Sequence, residues 1–146
     1  MGGLLVGMDV VDVREVADSL VRFGDRYLAR VYTADEIAYA TQAPAETARR
    51  LGARFAAKEA TIKALRASHV GIDPRSIDVK KAADGGCELA LSGGALRAAQ
   101  SAGVISLAVS ITHQGDIAAA VVVAQCRRGQ RQPSLWRKRH AMGERR

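Results

Sequence analysis

The chain has 146 residues, of which 48% are hydrophobic and only 4% are aromatic. This length suits one domain whose core is built mainly from Ala, Val, Leu and Ile, without disulfide or metal staples. The net charge of +7 is unevenly placed, because residues 127–146 hold eight of the 22 Lys and Arg residues and one of the 15 acidic residues. We therefore predict a neutral domain over residues 1–126 and a flexible basic tail over residues 127–146.

The sequence excludes several classes of protein. Cys87 and Cys126 are too few and too far apart for a disulfide framework or a zinc site, and they fit a reducing compartment. The longest apolar run, residues 117–124, is far shorter than the roughly 18 residues that span a bilayer. The N-terminus lacks the basic region of a signal peptide and is interrupted by Asp9. We expect a cytoplasmic protein.

The first third of the chain predicts a strand followed by helices. Residues 4–13 alternate and are rich in Val, which predicts a strand that carries Asp9 on an aliphatic face, where a carboxylate is costly unless it is compensated. Residues 14–30 have apolar side chains at helical spacing among several arginines. Thr33 and Glu36 have the spacing of a capping box, so a helix begins there and ends near Pro44.

Residues 46–67 give the strongest helical pattern in the chain. Lys58 interrupts an apolar stripe that is otherwise formed by Leu51, Phe55, Ile62 and Leu65. A neighbouring stripe contains Glu59, Lys63 and Arg66. The remaining pattern predicts a hairpin, a helix capped by Ser92 and a second hairpin, over residues 77–81 with 87–91, 94–102, and 105–112 with 116–125.

Each candidate functional residue also has a purely structural interpretation. Asp9 could be a strand-end acid paired with an arginine, and Glu59 with Lys63 at i and i+4 is a common surface ion pair. His113 continues an alternating apolar face, so it could be a half-buried histidine at a strand end. The arginines of residues 14–30 could form an ordinary solvated helix face. Taken one at a time, these structural interpretations are favoured.

Three segments taken together change this assessment. They are Gly7-Met-Asp9, Arg54-Phe-Ala-Ala-Lys58-Glu59-Ala-Thr-Ile-Lys63-Ala-Leu65 and Ser110-Ile-Thr-His113, in that order. The combination resembles the 4′-phosphopantetheinyl transferases, specifically the small bacterial holo-acyl-carrier-protein synthases, over residues 4–125. Arg14 and the Thr33-x-x-Glu36 segment also match. The resemblance implies an α+β fold with an antiparallel sheet packed against helices. Larger members of the superfamily contain two related halves, and this chain would correspond to one such half. Three copies would then assemble and form active sites between subunits.

The resemblance implies a specific reaction. The 4′-phosphopantetheine group of coenzyme A would be transferred to a serine of an apo acyl carrier protein, with release of adenosine 3′,5′-bisphosphate. Asp9 and Glu59 would bind Mg²⁺, which favours carboxylates together with phosphate oxygens. Glu59, or a water that it orients, would also be the base for the serine hydroxyl, and Lys63 would offset negative charge on the phosphate oxygens or the leaving group.

The resemblance also implies binding roles. Coenzyme A would be contacted by Arg54, Lys58, Lys63, Thr112 and His113. An acidic carrier protein would dock on Arg14, Arg22 and Arg26, because basic helix faces steer acidic partners. The chain departs from the family at Arg66, where many relatives have a glycine.

Three alternatives stay open at this point. The basic tail would also suit a small nucleic-acid-binding protein, although the body lacks a basic stripe and aromatic residues for base stacking. A family member that binds coenzyme A without turnover is a second alternative, and the presence of Asp9, Glu59 and Lys63 argues against it. The carrier protein could belong to fatty-acid, polyketide or peptide synthesis, and the sequence does not distinguish among them.

Overall fold

Helices and strands follow one another irregularly in the computed structural model, which describes residues 2–127. In chain order they are β1 (Leu4–Asp12), α1 (Val13–Phe23), α2 (Asp25–Val31), α3 (Ala34–Thr41), α4 (Thr47–Ala64), β2 (Ile77–Lys81), β3 (Cys87–Leu91), α5 (Gly93–Ser101), β4 (Val104–Gln114) and β5 (Ile117–Cys126). Short 3₁₀ turns at Pro44–Glu46 and Pro74–Ser76 precede α4 and β2. None of the described helices is long and apolar enough to cross a membrane. The predicted tail lies outside the described residues, apart from Arg127.

Antiparallel pairing forms two sheets in the described part of the chain. The larger sheet has the strand order β1-β5-β4, so β1 and β4 are its edges, and β2 pairs with β3 in a separate hairpin. Strand alternation turns Ala118, Ala120, Val122 and Ala124 of β5 into the core, where they meet the buried side of α4. The arrangement confirms the predicted α+β class with an antiparallel sheet packed against helices.

Small residues allow α4 to approach the larger sheet closely. Ala56, Ala60 and Ala64 of α4 are almost completely buried. Gly7 of β1 lies so near the helix that a Cβ at this position would overlap the carbonyl oxygen of Ala60. The crossing therefore requires glycine for lack of space. It also brings Asp9, which shares a face of β1 with Gly7, to the side of α4.

The segment that follows β1 differs from the prediction. The pattern predicts one helix over residues 14–30, whereas the structure has α1 and α2 with a break at Gly24, whose φ is +51°. Phe23 and Tyr27 keep helical spacing across the break, so periodicity alone does not reveal it. The other predicted elements are confirmed within a few residues, and the capping box formed by Thr33 and Glu36 is present.

The outer face of the larger sheet is apolar. Alternation along β1 turns four side chains away from α4, and each of them is more than half exposed: Leu4, Val6, Met8 and Val10. Ile117 and Val121 of β5 extend the same surface. Contiguous apolar surface of this kind usually marks a site of contact with another molecule.

Candidate active site

Asp9 of β1 and Glu59 and Lys63 of α4 come together at the β1 edge of the larger sheet, and we call these three residues the carboxylate edge. Lys63 Nζ lies 2.7 Å from Asp9 Oδ1 and also donates to the carbonyl oxygen of Met8 at 3.3 Å. The Asp9 side chain is only 16% exposed, whereas Lys63 is half exposed. The lysine therefore pairs across the two elements with Asp9 instead of along the helix with Glu59.

The electrostatics of the carboxylate edge favour a bound cation. Partial burial raises the pKa of Glu59, and the negative charge of Asp9 raises it further, while Lys63 partly offsets both effects. A nearby cation would stabilise the charged form of such a carboxylate. Within residues 2–127, no three or more His, Cys, Asp or Glu side chains are arranged so that they could hold a metal ion by themselves. Two carboxylates that leave other ligand positions to substrate and water fit Mg²⁺ better than zinc.

A cationic cleft of about 470 Å³ lies between α4, the β2–β3 hairpin and β4. Its basic lining residues are Arg49, Arg50, Arg54, Lys81 and His113. Arg54 is 5% exposed, its guanidinium carbon lies 4.1 Å from the centroid of the Tyr39 ring, and its Nε has no hydrogen-bond partner among the described residues. A buried guanidinium with an unused donor in a basic cleft suits an anionic ligand, and phosphate above all.

The carboxylate edge and the cationic cleft lie on opposite sides of α4. Arg54 and Glu59 are five residues apart, which separates their side chains by about 140° around a helix. Asp9 is on the edge strand β1, whereas His113 is on the other edge strand β4, with β5 between them. One chain therefore presents the two regions in different directions.

The structure corrects the prediction that Lys58 contacts phosphate. Its side chain is completely buried, and Nζ forms an ion pair of 2.9 Å with Glu36 Oε2. The same ammonium donates to the carbonyl oxygens of Pro74, at 2.9 Å, and Ile77, so all three of its protons have partners. Lys58 interrupts the apolar stripe because it faces a buried anion, and that anion belongs to the protein.

Thr112 lies on a different face of β4 from His113, and its predicted contact with coenzyme A stays a prediction. His113 faces the cationic cleft. Because side chains alternate along β4, the neighbouring Thr112 lies on the outer face of the sheet. The structure therefore brings His113 and Arg54 to the same cleft but does not bring Thr112 there.

The three predicted docking arginines lie in different surroundings. Arg14 is bound to Asp12 at 2.7 Å and lies 3.8 Å from Asp116, so its charge is largely matched within the chain. Arg22 and Arg26 are exposed, but the break between α1 and α2 places them beside separate surface depressions.

Sequence reasoning missed several residues of the cationic cleft. Arg50 lies one turn before Arg54 on α4, so helical spacing could have placed it on the same face. Its guanidinium carbon is 4.6 Å from the Tyr39 ring, and it donates to the Tyr39 carbonyl at 2.8 Å. Lys81 comes from the end of β2, and no local pattern connects that position with α4.

Comparisons with known proteins connect the chain with one family. The family model described as ACPS, the 4′-phosphopantetheinyl transferase superfamily, matches residues 5–122. The chain is 40% identical over 121 residues to the holo-[acyl-carrier-protein] synthase of Solidesulfovibrio magneticus, a match that covers 82% of this chain and 96% of that protein. It is 42% identical over 127 residues to the protein of the same name from Paramagnetospirillum magneticum, covering 82% and 94%.

Two solved structures have the same fold. The ACPS–CoA complex from Chronobacterium ammoniagenes superposes with a TM-score of 0.75 at 30% identity, covering 86% of this chain and 99% of that one. The holo-[acyl-carrier-protein] synthase of Helicobacter pylori in complex with coenzyme A gives a TM-score of 0.72 at 25% identity, covering 83% and 100%.

Proposed function

Because the chain belongs to the 4′-phosphopantetheinyl transferase superfamily and is an enzyme of the holo-acyl-carrier-protein synthase type, we propose that its carboxylate edge and cationic cleft together act on coenzyme A. The enzyme transfers the 4′-phosphopantetheine group of coenzyme A to a serine of an apo acyl carrier protein and releases adenosine 3′,5′-bisphosphate. One observation carries the assignment of the site: two adjacent carboxylates and a lysine occupy one side of the helix whose other side supplies arginines to a basic cleft.

Asp9 and Glu59 are the residues that would hold Mg²⁺ in this proposal. The ion, when bound, supplies positive charge to the pyrophosphate oxygens of coenzyme A. Glu59 accepts the proton of the carrier serine as the serine oxygen bonds to the phosphorus that bears the pantetheine arm. The bond between that phosphorus and the bridging oxygen breaks, and adenosine 3′,5′-bisphosphate leaves. Lys63 offsets the negative charge that develops on the phosphate oxygens.

The cationic cleft is proposed to bind the nucleotide half of coenzyme A. Arg54 offers an unused Nε donor, and its guanidinium is held in place by the Tyr39 ring and by a 3.2 Å hydrogen bond to the Arg50 carbonyl. A guanidinium that is already fixed loses little conformational entropy when it binds phosphate. His113 and Lys81 stand at the same cleft and would add contacts to the nucleotide.

A homotrimer would complete the active site between neighbouring copies. The carboxylate edge and the cationic cleft point in different directions within one chain, so a second copy is needed to bring a cleft opposite an edge. The outer apolar face of the larger sheet supports such assembly, because Val6 and Val10 of β1 are more than half exposed there. A closed cyclic arrangement would give every copy the same neighbours and the same site. The number three follows from the family resemblance.

An acidic carrier protein would dock on α1 and α2. Arg22 and Arg26 are exposed there, and Val21 and Phe23 provide exposed apolar surface beside them. Opposite charges would steer the encounter, and apolar contacts would follow. The carrier belongs to fatty-acid or polyketide synthesis in this proposal. A cytoplasmic location is part of it and is supported by the free thiols of Cys87 and Cys126.

Intact-mass spectrometry of apo carrier proteins tests the proposal. Apo acyl carrier proteins of fatty-acid and polyketide synthesis are incubated with the enzyme, coenzyme A and Mg²⁺. We expect a gain of one phosphopantetheinyl group, which is abolished by EDTA and by Glu59→Ala. Glu88→Ala is the matched control, because Glu88 is an exposed glutamate of β3 that does not itself line the cationic cleft. Coenzyme A binding without any gain in mass would identify a binding protein instead of a transferase.

A further inference from the structure

A buried ion pair connects four segments behind the cationic cleft. Glu36 of α3 and Lys58 of α4 are both completely buried and lie 2.9 Å apart. Lys58 also donates to the carbonyl oxygens of Pro74 in the 3₁₀ turn and of Ile77 in β2. Glu36 Oε1 accepts from the Val79 backbone N–H at 2.8 Å. The pair therefore bonds to backbone groups on both sides of the start of β2.

These bonds fix the position of the β2–β3 hairpin relative to α4. Within residues 2–127 the hairpin forms a sheet of its own and shares no ladder with the larger sheet. β3 occupies one edge of β2, and the Glu36 carboxylate satisfies the Val79 N–H on the other. Apolar side chains of the hairpin also pack in the core. Apolar packing is non-directional, so by itself it would allow the hairpin to slide along α4. The buried hydrogen bonds to backbone groups of β2 oppose this movement, because sliding would leave those groups without partners.

The same hairpin forms one wall of the cationic cleft. Lys81, Gly85 and Gly86 line the cleft from the hairpin, and Arg54 lines it from α4. Lys81 lies two residues beyond Val79 on β2, and Arg54 lies one turn before Lys58 on α4. Each partner of the buried network is thus close in sequence to a cation of the cleft. Movement of the hairpin along α4 would change the separation between Lys81 and Arg54.

We propose that Lys58 and Glu36 are positioning residues for the binding of the nucleotide half of coenzyme A. They hold the hairpin wall at the distance from α4 that an anionic ligand between Lys81 and Arg54 requires, and they do not touch the ligand. This inference rests on the proposed function, because it takes coenzyme A as the ligand of the cleft. Chemistry at the carboxylate edge should be less affected, since the contact of α4 with β1 at Gly7 holds that edge independently.

Steady-state kinetics of two variants test the inference. Lys58→Met removes the ammonium at similar length, and the double variant Glu36→Leu with Lys58→Met removes both charges. The double variant leaves no unpaired charge in the core, so it keeps the test informative if the single variant does not fold. We expect the KM for coenzyme A to rise about tenfold while kcat at saturating coenzyme A stays within about twofold of wild type. We also expect faster hydrogen exchange of the Val79 amide in the double variant.

Leu65→Ala is the matched control for general destabilisation. Leu65 is buried with Ala67 and Ala99 beyond the end of α4, and none of these residues lines the cationic cleft, so its truncation should lower stability without changing the KM for coenzyme A. The inference is overturned if the pair variants keep the wild-type KM, or if kcat at saturating coenzyme A falls about tenfold as well. Either result would leave the proposed function standing, because wild-type transfer is measured in the same assay. Absence of transfer by the wild type would remove the proposed function itself.

Discussion

Arg66 occupies a backbone conformation that favours glycine, and it is the one non-glycine residue with a positive φ, +54°, within residues 2–127. It follows the end of α4, where its N–H bonds to the Lys63 carbonyl at 3.0 Å and the Ala67 N–H bonds to the Ile62 carbonyl at 3.0 Å. These two bonds form a Schellman cap, whose left-handed position is usually glycine. We expect Arg66→Gly to raise the free energy of unfolding by about 0.5–1 kcal/mol, as measured by urea denaturation.

Arg66→Ala is the control for this prediction. Alanine keeps the Cβ that makes the left-handed conformation costly, so it should give none of the gain. Equal stabilisation by alanine and glycine would show that the arginine side chain, and not the backbone, is the source. The sequence marks position 66 as a departure from the family, but only the observed φ explains why the change has a cost.

Gly7 has no space for a side chain at the crossing of β1 and α4. The Cβ of an alanine would overlap the Ala60 carbonyl and come within 2.5 Å of the Ala64 nitrogen. We expect Gly7→Ala to lower the free energy of unfolding by about 3 kcal/mol. We also expect the variant molecules that do fold to have lower transfer activity, because the displaced β1 would carry Asp9 away from Lys63. Gly3→Ala is the matched control, since a Cβ there meets no atom within 4 Å. Equal denaturation midpoints for the two variants would contradict the steric argument.

The break between α1 and α2 matters for docking of the carrier protein. Arg22 and Arg26 are exposed, whereas the charge of Arg14 is matched by Asp12 and Asp116. We expect Arg22→Ala and Arg26→Ala each to raise the KM for the apo carrier protein about two- to fivefold at low salt, with a smaller effect of Arg14→Ala. The effects should shrink at high salt, because exposed charges are screened.

The control for docking is Arg97→Ala. Arg97 is an exposed arginine of α5, so its removal changes the net charge equally without altering α1 or α2. A rise in KM with Arg97→Ala that equals the rise with Arg22→Ala would mean that net charge, and not the α1–α2 surface, governs the encounter.

The elements that sequence reasoning predicts well are those specified by local patterns. The helix α4 and both hairpins follow from periodicity and turn residues that lie within a short stretch of chain. Lys58 shows where such reasoning ends: the interrupted stripe indicates a buried anion, but Glu36 is on another helix and no spacing rule connects the two. The cationic cleft is similar, since Arg54 belongs to a helical motif whereas Lys81 reaches it only through the placement of the hairpin.

At the scale of the whole molecule, the outer sheet face should control assembly. Val6 is 62% exposed, so Val6→Glu should leave the fold of one chain intact while placing a charge in the proposed interface. We expect the variant to elute as a monomer with an unchanged circular dichroism spectrum and to lose transfer activity. Leu96→Glu, at an exposed apolar position of α5 that does not line the cationic cleft, is the control for adding a glutamate at an exposed apolar position. A fully active monomer would place the complete site within one chain.

Mixing of two inactive variants tests whether each site combines two copies. Glu59→Gln damages the carboxylate edge, and Arg54→Ala damages the cationic cleft on the opposite side of α4. In a random mixture that is unfolded and refolded together, a site is intact only when an Arg54→Ala copy supplies the edge and a Glu59→Gln copy supplies the cleft. We therefore expect about a quarter of the wild-type transfer activity from an equal mixture of the two variants. If both regions of a site came from one chain, every site would carry a damaged region and refolding together would restore no activity.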